Sequence, residues 1–269
     1  MGSPVGLALV GAAGRMGLEI TRVAALESDL SVVGAVERTG SSSVGRDLGE
    51  LAGVGCNGVA LVDDVRKIDR EFDVIIDLSL PGATELVIEG ARAVKKPLVC
   101  GTTGLSPNTM NLFDEAASEI PVLYTPNLSL GIAVTNQLVA KAVEALGGDY
   151  DVEIVEMHHR NKGDAPSGTA MALAKTAAEA KGLDADHDLC FGRAGSVGAR
   201  SIREIGVHAV RGGGVFGEHK IILAGEHDQI EITHRASSRT LFAKGALAAA
   251  RFLHDKPKGL YDMAQMLFR

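Results

Sequence analysis

Between Glu156 and Ala170 the chain reads EMHHRNKGDAPSGTA, which places His158, His159, Arg160 and Lys162 within five residues and then Ser167, Gly168 and Thr169. A basic loop followed at once by a helix start is suited to holding a carboxylate. The lysine supplies a point charge, and a histidine supplies a donor that switches near neutral pH. The free N–H groups of the helix start, with the Thr169 hydroxyl, supply directional bonds. The same residues could serve hydride transfer. When hydride adds to an electron-poor carbon the neighbouring atom needs a proton, and His158 or Lys162 could supply or relay it. Pro166 holds Ala165 extended just before the helix. His158 and His159 are not expected to form a metal pair, because neighbours on a strand point to opposite faces and no third ligand has suitable spacing.

A second chemical signal lies at the N-terminus. Val5–Val10 runs into Gly11-Ala12-Ala13-Gly14-Arg15-Met16-Gly17, and a helical pattern follows. Strand, glycine turn and helix in this order suit a pyrophosphate, which needs close backbone approach and unpaired N–H groups. The spacing is GxxGxxG, with Ala13 where a GxGxxG turn would carry its second glycine. Glu37, about twenty residues beyond the turn, could accept from ribose hydroxyls, and Arg38 beside it could face a 2′-phosphate. The pair predicts tolerance of both NADH and NADPH. Gly101-Thr102-Thr103-Gly104 and Pro126-Asn127-Leu128-Ser129 close later strands. Ligands gather beyond the carboxyl ends of strands in open α/β sheets, so these residues could line the nicotinamide and its ribose, although ordinary turns and helix caps would look the same.

The elements that must position these residues are legible as periodicities. Apolar runs at Val5–Val10, Leu30–Val36, Val59–Val62, Val74–Leu78, Leu98–Cys100 and Val122–Tyr124 alternate with helical stretches such as Arg15–Glu27, Ala83–Val94 and Pro107–Ile120. Short apolar strands separated by helices predict a parallel sheet covered on both faces. Ser129–Leu146 then reads as a helix stopped by Gly147-Gly148. Beyond it the pattern changes to a strand at Asp151–Met157, a helix at Ser167–Lys181, and strands at Ile202–Val210, His219–Ala224 and Gln229–His234. Ser238–His254 closes as an alanine-rich helix that returns to the first domain. The fold class is α/β, with an N-terminal dinucleotide-binding domain and a second α+β domain on an open, mixed sheet. The Ser41-Ser42-Ser43 and Gly212-Gly213-Gly214 runs look like mobile loops that could touch ligand.

The bulk numbers set the limits. A chain of 269 residues is comfortable for two domains, and 46% hydrophobic with 23% charged residues is a globular mixture. A net charge of −7 argues against a general nucleic-acid binder, which needs a basic surface. The three cysteines, Cys56, Cys100 and Cys190, form no CxxC pattern and suit a reducing compartment. No charged-then-apolar leader and no run of eighteen apolar residues occurs, so neither export nor membrane insertion is expected, and the cytoplasm is the simplest location.

The run His158-His159-x-x-Lys162-x-Asp164-Ala165-Pro166-Ser167-Gly168-Thr169, preceded by Glu156-Met157, resembles the signature of the 4-hydroxy-tetrahydrodipicolinate reductase (dihydrodipicolinate reductase) family of lysine and diaminopimelate biosynthesis. The resemblance extends over Gly11–Gly17, Glu37-Arg38, Gly101–Gly104, Pro126–Ser129, and the segments Val210–His219 and Ile230–Ser238. It implies that Gly11, Ala12, Ala13, Gly14, Arg15, Met16, Glu37, Arg38, Gly101, Thr102, Thr103, Pro126, Asn127, Leu128 and Ser129 hold NADH or NADPH. It implies His158 as proton donor or acceptor and Lys162 as the second proton donor, with His159, Gly168 and Thr169 on the substrate carboxylates. The implied fold is a Rossmann domain over 1–127, completed by C-terminal helices in 240–269, and a substrate-binding and oligomerisation domain over 128–239. That second domain's sheet would build a homotetramer, with hinges near 128 and 240. Pro126 departs from the small residue expected there.

The reaction so implied is transfer of hydride from NAD(P)H to a cyclic, dicarboxylated C=N substrate, giving tetrahydrodipicolinate. No metal, nucleic-acid or membrane partner is expected. The rivals are another two-domain NAD(P)-dependent amino-acid dehydrogenase and a non-catalytic NAD(H) sensor.

Overall fold

In the computed structural model the chain is described over residues 3–268; Met1, Gly2 and Arg269, which belong to the ranges 1–127 and 240–269 above, lie outside it. Strands and helices alternate first: β1 Val5–Val10, α1 Arg15–Ala24, β2 Leu30–Val36, α2 Leu48–Ala52, β3 Leu61–Val62, β4 Val74–Asp77, α3 Pro81–Val94, β5 Leu98–Cys100, α4 Pro107–Ala117 and β6 Pro121–Tyr124. The long helix α5 Leu130–Leu146 follows, then β7 Asp151–His158, α6 Gly168–Lys181, β8 Leu189–Phe191, β9 Ile205–Arg211, β10 Gly217–Ala224 and β11 Gln229–Ala236. The chain ends with α7 Thr240–Leu253, β12 Gly259–Tyr261 and α8 Met263–Leu267. It divides into two compact units, residues 1–130 with 239–269, and residues 131–238.

The first unit is built on a seven-stranded sheet in the order β12-β6-β5-β4-β1-β2-β3, parallel at each paired neighbour. Its central strands are apolar throughout and buried: Leu7, Leu9, Ile75, Ile76, Leu98 and Val99 are closed from solvent, as a sheet covered on both faces requires. The order through β6 is the doubly wound dinucleotide-binding arrangement, which puts every strand's carboxyl end on one edge. The C-terminal stretch, read from sequence as helices, also supplies β12, which pairs with β6. Its three residues, Gly-Leu-Tyr, are too few to show a period. α7 lies close to the chain after β6, where a Cβ on Gly245 would fall 1.7 Å from the Leu128 carbonyl oxygen.

Several expected elements are shorter than their sequence spans, α4 ending at Ala117 rather than Ile120 and β9 starting at Ile205 rather than Ile202 among them. The strand expected over Val59–Val62 is confined to Leu61–Val62, since the Val59 carbonyl accepts the Leu48 N–H at the start of α2 (2.9 Å). The helix expected to Glu27 stops at Ala24, and the next turn tightens through Leu26 N–H to Val23 O and Glu27 N–H to Ala24 O.

The second unit carries a five-stranded sheet in the order β11-β10-β7-β9-β8. β11, β10 and β7 are antiparallel neighbours, while β7, β9 and β8 run parallel, so the sheet is mixed. Residues of β7 alternate strictly between buried and half-buried. Val152 and Ile154 join Ile205, Val207, Ile221 and Leu223 beneath Val139 and Val143 of α5 and the alanine-rich face of α6. The opposite face holds Glu153, bonded by Arg193 (2.8 Å), Arg200 (2.8 Å) and His208 (2.6 Å). Burial works against its charge, but these three partners prevail and hold the carboxyl at about 2.

Candidate active site

In the first unit β1 ends in a turn that only glycine can make. Gly11 has φ +73°, and a Cβ there would lie 2.8 Å from the Leu78 carbonyl oxygen. A Cβ on Gly17 would fall 2.4 Å from the Ala12 oxygen, so this glycine lets α1 pack directly on the turn. Ala13, at the substituted glycine position, is half-buried and donates its N–H to Glu37 Oε1 at 3.0 Å. α1 starts after Gly14 with no side-chain cap and no acidic residue in its first turn. Its first N–H groups are left to an anion, and the backbone around them is compact enough to meet a pyrophosphate. Arg38 is exposed next to Glu37.

The loops after β5 and β6 meet on the same edge of the sheet. A Cβ on Gly101 would come within 2.6 Å of Leu128 Cδ1. Within the second loop the Thr125 hydroxyl donates to the Asn127 carbonyl (2.8 Å), and Asn127 Oδ1 accepts the Ser129 N–H (2.9 Å). Pro126 and Thr103 are exposed there, whereas Thr102, Leu128 and Ser129 are buried. Beneath them sits Asp77, fully buried at the end of β4. It accepts from the Ser79 N–H (2.9 Å), Thr84 Oγ1 (3.1 Å), Thr102 Oγ1 (3.2 Å) and Cys100 Sγ (3.3 Å). Burial, and then Asp77, push the Cys100 thiol far up, so it stays protonated.

In the second unit the period of two along β7 sends Glu156 and His158 to the buried face beside Val152 and Ile154. Glu156 Oε2 meets His158 Nδ1 at 2.6 Å, and Oε1 accepts the Ser167 N–H at 3.0 Å. Arg211 on β9 clasps both carboxylate oxygens at 2.8 Å and also donates to the Asp164 carbonyl at 2.6 Å. Burial raises the Glu156 carboxyl, but Arg211, His158 and the Ser167 N–H outweigh it and hold it below its ordinary value. His219 of β10 packs edge-on to His158, ring centres 5.2 Å apart, with Nε2 3.1 Å from Ser167 Oγ. Burial foremost, then the neighbouring His158, pushes the His219 pKa down to about 4, so it is neutral at pH 7.

Ser167 caps α6 by accepting the Ala170 N–H (3.1 Å), which leaves Gly168 exposed and Thr169 half-exposed in the first turn. His159 follows β7 and is half-buried, its carbonyl accepting the Lys162 N–H (3.1 Å). Lys162 Nζ pairs with Asp164 Oδ1 at 2.8 Å. Gly212 and Gly213, expected in a mobile loop, are pinned to this segment: Gly212 N–H donates to the His158 carbonyl (3.0 Å) and Arg160 N–H to that of Gly213 (3.2 Å).

The two units match two family models in turn: "Dihydrodipicolinate reductase, N-terminus" over residues 5–128 and "Dihydrodipicolinate reductase, C-terminus" over residues 131–267. The chain belongs to the dihydrodipicolinate reductase family. The 4-hydroxy-tetrahydrodipicolinate reductase of Hahella chejuensis is 45% identical over 261 residues, 97% of this chain and 98% of that protein. The reductase of the same name from Anaeromyxobacter dehalogenans is 46% identical over 259 residues, 96% of each. Among solved structures, a dipicolinate-bound dihydrodipicolinate reductase from Paenisporosarcina superposes with a TM-score of 0.76 at 22% identity, covering 98% of this chain and 100% of that one. A Corynebacterium glutamicum diaminopimelate dehydrogenase shares the fold at TM-score 0.59 and 16% identity, covering 98% and 94%.

As a member of the dihydrodipicolinate reductase family the chain is an NAD(P)H-dependent oxidoreductase, reducing 4-hydroxy-tetrahydrodipicolinate in lysine biosynthesis. Its cofactor is a nicotinamide dinucleotide and its substrate a dicarboxylate. Of the residues singled out by sequence, the turn Gly11–Gly17 bonds to Glu37, and Gly101–Thr103 meets Pro126–Ser129; His158 shares a cluster with Ser167 at the start of α6. Sequence reasoning gave no role to Asp77, Glu156, Arg211 or His219. A signal existed for two of them. Asp77 interrupts the otherwise apolar run Val74–Leu78, and carboxylates are rarely fully buried without partners. Glu156 lies two residues from His158 on a strand, hence on the same face.

Proposed function

We propose that His158 is the proton donor of the reduction and Lys162 the second donor, with Lys162, His159, Gly168 and Thr169 receiving the substrate's carboxylates. The observation that carries this reading is the cluster itself: a buried histidine beside the capped start of α6, next to a loop bearing Lys162. A nicotinamide cofactor supplies hydride to the electron-poor carbon. The protein's part is to place the substrate and to add one proton at the neighbouring atom, so that each turnover consumes one hydride and one proton while the substrate's 4-hydroxyl leaves as water. The Lys162 ammonium, now paired with Asp164, would exchange that partner for a substrate carboxylate.

In this reading Gly11–Met16 receive the pyrophosphate, and Gly101–Thr103 with Pro126–Ser129 receive the nicotinamide half. Glu37 and Arg38 accept both NADH and NADPH. The Glu37 carboxylate is fixed by the Ala13 N–H through Oε1 and by the Arg38 N–H through Oε2 (3.3 Å), and its remaining lone pairs can accept a ribose hydroxyl, while the exposed Arg38 side chain is placed for a 2′-phosphate. We further read residues 128–239 as the substrate and assembly domain. Its sheet has no helix of its own unit on the face carrying Val155, Met157 and Ile222, and that face would join four chains. Exposed, unpaired Cys56 suits the cytoplasm.

Steady-state kinetics test the roles. His158→Ala lowers kcat by ~10²–10⁴, the range for a positioned acid or base, with NADH affinity unchanged. A fall below threefold would remove the role. Lys162→Ala raises KM and lowers kcat together, because a carboxylate contact and a donor are lost at once.

A further inference from the structure

Glu156 is fully buried, yet it accepts from Arg211 and the Ser167 N–H and bonds His158. A buried carboxylate persists only when paired and hydrogen-bonded, and here Arg211 supplies the counter-charge through both oxygens at 2.8 Å. That leaves one strong acceptor direction, from Oε2 to His158 Nδ1 at 2.6 Å. On the other side of the ring a Cβ on Gly217 would stand 3.0 Å from Nε2, so glycine keeps that space open. His219 faces the ring edge-on, and burial keeps it uncharged at neutral pH.

We infer that Glu156, clasped by Arg211, is a positioning residue: it fixes neutral His158 as the Nδ1–H tautomer and reserves Nε2 for exchanging the proton of the reaction. The inference rests on the reading of His158 as proton donor. When His158 is protonated, Nδ1–H stays on Glu156 Oε2 and Nε2–H is the proton given up. The products of the step are the protonated substrate atom and neutral imidazole, and Glu156 remains ionised because Arg211 does not leave it. The same carboxylate accepts the Ser167 N–H, so the histidine and the start of α6 share one anchor. The charged and titratable groups around the ring are Glu156 on its own strand, Arg211 on β9, His219 on β10, and Lys162 with Asp164 on the following loop.

Glu156→Gln is the discriminating variant. Its oxygen stays with Ser167 N–H and Arg211 Nη2, which donate, so its amide NH₂ replaces Oε2 and donates to Nδ1 instead. The expected result is a switch of His158 to the Nε2–H tautomer, read by ¹⁵N NMR of the imidazole. A fall in kcat of ~10² or more goes with it, as expected of a wrong tautomer, while NADH affinity stays within about threefold. Should this variant not fold, the wild-type tautomer at pH 8 and Gly217→Ala, which crowds Nε2 and lowers kcat, decide the matter. A wild-type Nε2–H tautomer would overturn the inference, as would full turnover in Glu156→Gln. If His158→Gln is inactive while Glu156→Gln is fully active, only the positioning role fails. If His158→Gln is itself active, the donor reading fails first.

Discussion

Two histidine rings 5.2 Å apart in a buried cluster cannot both carry charge cheaply, and the cluster resolves this by keeping His219 neutral. The sign of the consequence is fixed. A histidine ordinarily titrating at 6.5 but held at about 4 when folded takes up its proton more readily in the unfolded chain. Its share of stability is intact above pH 6.5 and is lost as pH falls towards 4. In urea unfolding between pH 7 and 4, His219→Gln is expected to flatten part of that loss, by at most one proton's worth of slope. Equal slopes in both proteins would show that His219 is protonated in the native state as easily as in the unfolded one. The Ser167 cap that His219 supports is worth about 1 kcal/mol to α6 on general grounds, so removing its hydroxyl should loosen the helix start that presents Gly168 and Thr169.

At the scale of elements, glycines set how closely segments approach. Gly17→Ala puts a methyl 2.4 Å from the Ala12 oxygen, so either α1 or the turn must shift. Overpacking of this kind costs roughly 1–3 kcal/mol, and because the displaced groups would receive the pyrophosphate, NADH affinity should fall by at least tenfold in a fluorescence titration. Wild-type affinity in the variant would mean that α1 does not meet the phosphates. The alternation of short apolar strands with helices made most of the first sheet readable from sequence, because a sheet buried on both faces has little freedom in composition. The elements that were not readable are short: α2 and α8 have five residues each, and β8 and β12 three. Such stretches show no period and are fixed by what they pack on. The site divides the same way. The His158–Thr169 run is contiguous and visible, whereas Glu156 works through Arg211, fifty-five residues on, a pairing that exists only once β7 and β9 are side by side.

For the molecule as a whole, one helix-free face of the second sheet bears half-buried Val155, Met157 and Ile222 together with the Glu153 network. Sedimentation equilibrium should return about four times the 28.0 kDa chain mass, and Ile222→Glu on that face should lower it. A wild-type monomer would contradict assembly through this sheet. The proposed reaction takes hydride from either nicotinamide dinucleotide and a proton from His158. It is tested most directly by following nicotinamide absorbance while the purified protein meets freshly generated 4-hydroxy-tetrahydrodipicolinate, with NADH and NADPH in parallel. Rapid oxidation of both cofactors, abolished in His158→Ala, is the expected result. Oxidation of one cofactor alone would contradict the reading of Glu37 and Arg38, and undiminished oxidation in His158→Ala would contradict the account of the proton.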